Sequence, residues 1–136
     1  MNFREAIQDD FDFVADHSVS RGKVHPERVD YVYTLEHDGQ PLCIGGFKLM
    51  NYDTAWCWID ITDIAGSHTV AMYRVIRDWI DSFVEEHNLT RIQATVEIDF
   101  TEAIRMVKHL GFKKESIMES YVGGKDAFMY VRLRGD

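Results

Sequence analysis

Apolar residues recur along this chain with two different periods, and the switches between them outline a mixed order of strands and helices. The longest helical stretch starts at Val70, where Val70, Tyr73, Ile76, Ile80, Phe83 and Val84 form a stripe. Arg74, Arg77, Asp78, Asp81, Glu85 and Glu86 fill the other side, and Asn88 ends the helix. Arg91 to Ile98 then alternates, with Ile92, Ala94, Val96 and Ile98 on one face and Gln93, Thr95 and Glu97 on the other, the period of a strand. Ala103, Ile104, Val107 and Leu110 return to helical spacing, with Gly111 at the C-terminal capping position.

The N-terminal half reads as strand, helix and meander. Phe3 to Ile7 is extended; Gln8, Asp9 and Asp10 lead into a helix over FDFVADHSV, where Phe11, Val14 and Ala15 keep helical spacing. Arg21 to Arg28 is polar and holds Gly22 and Pro26, which predicts a surface loop or a broken short helix. Tyr31 to Glu36 and Leu42 to Leu49 flank His37-Asp38-Gly39-Gln40, a hairpin signal. Asn51 to Thr54 predicts a second turn and Ala55 to Thr62 a third strand; Ser116 to Val122 and Ala127 to Leu133 form a closing pair around Gly123-Gly124. Strand–helix–strand units after an antiparallel meander predict an α/β (α+β) fold. Its mixed, mostly antiparallel central sheet has about six to seven strands, with helices on both faces.

Composition narrows the class. A chain of 136 residues with 46% hydrophobic side chains is expected to form one domain over residues 1–136. The net charge of −8, from 23 acidic against 15 basic side chains, argues against a dedicated binder of nucleic acid or anionic membrane. It suits a cationic or amine-bearing partner, though plain solubility is the more common reason for such a charge. Cys43 and Cys57 sit in separate apolar runs without CxxC spacing, so buried reduced thiols and a reducing cytosol are expected. The N-terminus has no apolar signal core and no run reaches the ~18 apolar residues of a bilayer span, so the expected location is cytoplasmic. The histidines show no metal-ligand spacing, and Trp56, Trp58 and Trp79 read as core.

The stretch AWCWIDITDIAGSHT, Ala55 to Thr69, runs a strand through a Gly-Ser-His loop into the long helix. Unpaired N–H groups and the positive end of the helix dipole point the same way there, which makes an anion site. Ser67 reads as the helix N-cap, and His68 as a phosphate contact or a solvated first-turn residue.

This element order, together with AIRMVKHLGFKKES near the C-terminus, resembles the GCN5-related N-acetyltransferase (GNAT) superfamily over nearly the whole chain. FREAIQDDFDFV is similar to that family's first strand and helix, and EHDGQPLCIGGFKL to its second and third strands. Ala103, Leu110, Gly111 and Phe112 stand at the family spacing. The resemblance implies acetyl-CoA as acyl donor. Its pantetheine arm would pair with backbone at Ile61, Thr62, Asp63 and Ile64, and its pyrophosphate would lie on Gly66, Ser67, His68, Thr69 and Val70. The chain departs from the pattern at four places: Asp63 stands for the usual Gln or Arg, His68 for Gly or Ala, Phe100 for a frequent Asn, and Val107 for a frequent Tyr that serves as general acid. These departures and the paired Trp of AWCW resemble small GNAT-like proteins of tailed bacteriophages, some of them internal-virion or virion-assembly proteins.

Amine acetylation needs a base, a donor to the thioester carbonyl, and an acid for the leaving thiolate. Asp60 and Glu97 are the candidate bases. Asp60 shares a strand face with Trp56 and Trp58, and Glu97 with Gln93 and Thr95. Both also read as strand-end carboxylates held by water or loop backbone. Tyr121 and Tyr52 read as a phenol acid or as structural tyrosines. The expected activity is transfer of acetyl to a primary amine of a small molecule or to a protein lysine or N-terminus. The alternative is a non-catalytic GNAT-fold phage protein acting in virion assembly or host-protein binding. The reading leaves a homodimer open, and places a phage-encoded chain in host cytoplasm or virion.

Overall fold

A computed structural model describes residues 1–19 and 30–135; the stretch Arg21 to Arg28 lies outside them. Along the chain run β1 (Asn2–Glu5), α1 (Gln8–His17), β2 (Tyr31–His37), β3 (Gln40–Leu49) and β4 (Thr54–Ile61). A 3₁₀ turn over Asp63–His68 follows, then α2 (Thr69–Glu86), β5 (Arg91–Glu97), α3 (Thr101–His109), β6 (Lys113–Val122) and β7 (Lys125–Leu133). The strands form one mostly antiparallel seven-stranded sheet in the order β1-β2-β3-β4-β5-β7-β6, with β4 and β5 parallel. The chain divides into two compact units, Met1–Lys48 with Cys57–Val75, and Leu49–Trp56 with Ile76–Asp136.

In the first unit, Asp38 and Gly39 take positive φ (51° and 78°), so the Asp-Gly hairpin turns as expected. At Gly46 in β3 a Cβ would stand 1.9 Å from the Tyr31 carbonyl oxygen, so only glycine lets β2 approach there. Helix α1 starts at Gln8 rather than Phe11, because a polar contact overrides the apolar spacing. The Ile7 N–H donates to Asp10 Oδ2 at 2.8 Å, capping the first turn from inside. Asp10 is 3% exposed and also accepts two bonds of 2.8 Å from Arg4 and one of 2.9 Å from Thr34 Oγ1. The Arg4 guanidinium holds this carboxyl below the usual carboxylate range against its burial, with the Ile7 and Thr34 donors adding to the effect. Val14, Ile44 and Trp58 pack together in the core, with Ala6 and Val32 at their margin.

In the second unit Ile92, Ala94 and Val96 are buried as the alternation requires, but Glu97 is buried too and Ile98 is exposed. The strand stops at Glu97: Phe100 N–H turns back to the Glu97 carbonyl at 3.1 Å, so Ile98 falls outside the pleat. Ile76, Ile80 and Phe83 form the buried line of the part of α2 in this unit; in its first turns, which belong to the first unit, Met72 is buried and Val70 exposed. Val70 lies two residues, about 200° of helix rotation, from Met72. Asn88 (φ 56°) and Gly111 (φ 92°) close α2 and α3 alike; Leu89 N–H bonds Val84 O and Phe112 N–H bonds Val107 O, each at 3.0 Å. Gly123 and Gly124 turn β6 into β7 with positive φ. Among the described residues no helix is long and apolar enough to cross a membrane.

Candidate functional site

The end of β4 and the turn after it lie in the first unit. Thr62 N–H donates to Leu42 O at 3.0 Å, and Thr62 Oγ1 to Pro41 O and Leu42 O at 2.9 and 3.0 Å. Backbone groups of successive strand residues point to opposite edges, so Ile61 presents its own on the edge away from β3. The register pairs of β4 with β5 end at Trp56. At Ile61 that edge is taken by the residues following α1: Val19 N–H donates to Ile61 O at 2.8 Å, and Ser18 bridges Thr62. Ser18 Oγ also donates to Asp60 Oδ1, tying that candidate base to the same strap.

Beyond Thr62 the expected Gly-Ser-His loop is a 3₁₀ turn, kinked at Gly66 (φ 20°, ψ −107°). A Cβ at Gly66 would meet nothing within 4 Å, so the glycine serves its backbone angle and leaves open space around it. Ser67 is inside the turn, not at the cap of α2, because the 3₁₀ turn runs on to His68. Thr69 Oγ1 donates to Gly66 O at 2.6 Å. Asp63 is exposed with Oδ1 3.3 Å from His17 Nδ1, and His17 stacks on Phe13. The His68 ring lies against His37 from the β2–β3 hairpin, centroids 4.4 Å apart. Ile64 is half-buried and Val70 exposed.

The other candidate base is in the second unit. Glu97 is 6% exposed, and its Oε2 has no hydrogen-bond partner among the described residues. Thr95 Oγ1 and Trp56 Nε1 are likewise buried and unpartnered. These residues share one face of the sheet, since Trp56 is in register with Gln93 and residues 93, 95 and 97 alternate onto the same side. The Tyr121 ring stacks on Trp56 with centroids 6.4 Å apart and planes 15° apart, and burial pushes its phenol above the usual range. Trp56, expected in the core, is half-buried on this face, while Trp58 is core as expected. Tyr52 is exposed and Val107 is buried in α3.

Cys43 and Cys57 are buried reduced thiols, as their apolar runs implied, and burial pushes the Cys43 thiol up to about 12. Sequence reasoning missed the Ser18–Val19 strap and the pairing of Tyr121 with Trp56. The strap left no periodic signal, because a single bridge has no period. The second had one: Glu119 and Ser120 interrupt the apolar run before Tyr121.

Comparison with solved structures identifies the fold. A spermidine N-acetyltransferase variant from Vibrio cholerae superposes with a TM-score of 0.79 at 14% identity, covering 98% of this chain and 93% of that one. Ard1 from Thermoplasma volcanium matches with a TM-score of 0.77 at 18% identity, over 97% and 96% of the two chains. A ribosomal-protein-S5-alanine acetyltransferase from Vibrio fischeri matches with a TM-score of 0.69 at 15% identity; 78% of this chain aligns, spanning 62% of that one. No family model and no curated protein matches the sequence.

Proposed function

With the GNAT acetyltransferase fold as premise, we propose that this protein is an acetyl-CoA-dependent N-acyltransferase that acetylates a primary amine of a small molecule or a protein in the cytoplasm. The observation that carries this reading is the buried Glu97 carboxylate with an unpartnered oxygen on a face with Trp56. A carboxylate in that setting accepts a proton from an ammonium group, which frees the amine lone pair. Asp60 is the weaker candidate, since Ser18 already donates to it.

The turn fits a phosphate-bearing cofactor: His68 with His37 beside it, open space at Gly66, and the start of the 18-residue α2. Asp63, Ser67, Thr69 and Val70 complete that rim, and backbone from Ile61 to Ile64 would hold the arm. Acetyl-CoA supplies an acetyl thioester open to attack by an amine. Val19 competes for the Ile61 carbonyl, so replacing Val19 with proline, which removes the N–H, is expected to tighten CoA binding by about threefold to tenfold. Isothermal titration of both proteins checks this; equal or weaker binding by the variant rules out the competition.

The strap on Ile61 and the buried Val107 favour a second reading, a non-catalytic GNAT-fold protein of a phage particle or infected cell that binds a phage or host protein. Thiol release on mixing the protein with acetyl-CoA and amine acceptors separates the two: sustained release supports the transferase, and its absence at saturating acetyl-CoA supports the binding protein.

A further inference from the structure

Three polar atoms on the Glu97 face differ in what they ask of a ligand. Glu97 Oε2 accepts a hydrogen bond, Trp56 Nε1–H only donates one, and Thr95 Oγ1 does either. A buried polar atom left unpaired is costly, so a ligand satisfying all three is strongly preferred to one that satisfies Glu97 alone. A simple alkyl diamine or polyamine with its nitrogens protonated brings donors only, and leaves Trp56 Nε1–H without an acceptor. An α-amine followed by its own carbonyl brings both kinds. Thr95 and Glu97, two residues apart on β5, are separated by about 7 Å, the repeat of an extended chain lying alongside.

Tyr121 comes to this face by a backbone device. Met118 is in register with Ala127 and Val122 with Lys125, so Glu119, Ser120 and Tyr121 bulge opposite the single residue Asp126. Ser120 takes φ 52°, a strained angle for a residue with a side chain, and its N–H is held by Asp126 Oδ1 at 3.0 Å. The bulge lies on β6, with β5 and β7 between it and β4 in the sheet order, yet the Tyr121 ring reaches Trp56. Tyr121 is 43% exposed, so it is the outer partner of the pair, and it has solvent to move into.

We infer that the acceptor is an α-amine carrying an adjacent carbonyl, as at a peptide N-terminus or an amino-acid amide, and that Tyr121 closes over it against Trp56. The inference rests on the transferase reading for its chemistry but not for its binding. Acceptor kinetics with a short uncharged peptide bearing a free N-terminus, set against butane-1,4-diamine, test it. The peptide is expected to give a kcat/KM at least about tenfold higher. Tyr121→Ala should raise the peptide KM about tenfold with kcat within about threefold, and Tyr121→Phe should restore it. Titration of tryptophan fluorescence with the same two ligands, with Trp56→Phe as the control, reads binding without turnover. Peptide binding without thiol release would keep the ligand class and discard the transferase. A diamine equal to or better than the peptide, or an unchanged peptide KM in Tyr121→Ala, would overturn the inference.

Discussion

Replacing Glu97 with glutamine is expected to lower turnover by about 10² to 10⁴-fold, the range for a positioned general base, while acetyl-CoA affinity stays within about twofold. The substitution keeps the shape of a side chain that is 6% exposed and removes only its capacity to take a proton. Asp60→Asn is expected to change turnover far less, because the Asp60 carboxylate is already the acceptor for Ser18 and its loss loosens the strap on Ile61. Steady-state thiol release with each variant, with calorimetric affinity beside it, decides the assignment. If Asp60→Asn abolishes turnover and Glu97→Gln does not, the roles are exchanged and the base belongs to β4.

Asp10→Ala is expected to cost about 3 kcal/mol of folding stability, the lower end for removing one partner of a buried ion pair, since Glu36 remains at 2.9 Å to share Arg4. The loss compounds a cap, a Thr34 bond and an ion pair, all on one carboxylate. It also has a definite pH signature. The folded-state pKa of Asp10 lies below its unfolded value, so its contribution is complete above the ordinary carboxylate range. It fades as pH falls through the depressed value. Urea denaturation of the wild type and of Asp10→Asn should therefore show a constant stability gap from about pH 8 to 5 that narrows below about pH 4. A gap independent of pH down to pH 2 would mean that the Arg4 pairing contributes nothing to folding.

Periodicity carried the architecture well where side chains on one face answer to one environment. The order of elements along the chain, the Asp-Gly hairpin, the closing pair around Gly123-Gly124 and the cap at Gly111 follow from local rules and stand in the structure. Local rules failed where a single distant partner decided the outcome. Asp10 caps α1 at Gln8 by accepting the Ile7 N–H, and it sits buried there because Arg4 and Thr34, residues six and 24 positions away, also bond its carboxylate. Ile98 kept the strand period in sequence and lost it where the chain turns back to Glu97. The candidate site was legible as a set of residue types, with Glu97 and the turn after β4 both marked. What each one touches was not. Asp60 and Glu97 read alike as strand-end carboxylates, and only tertiary contacts separate them, Ser18 holding one and burial leaving an oxygen of the other unpartnered.

Calorimetric titration of the purified protein with acetyl-CoA, and separately with CoA, is the most direct measurement. Saturable binding of both at one site per chain is the predicted result, with stability raised by about 2.7 kcal/mol at ~100 times the dissociation constant. Heats indistinguishable from dilution, with no change in melting temperature at millimolar cofactor, would contradict the transferase account and leave the GNAT fold here as a scaffold for binding another protein.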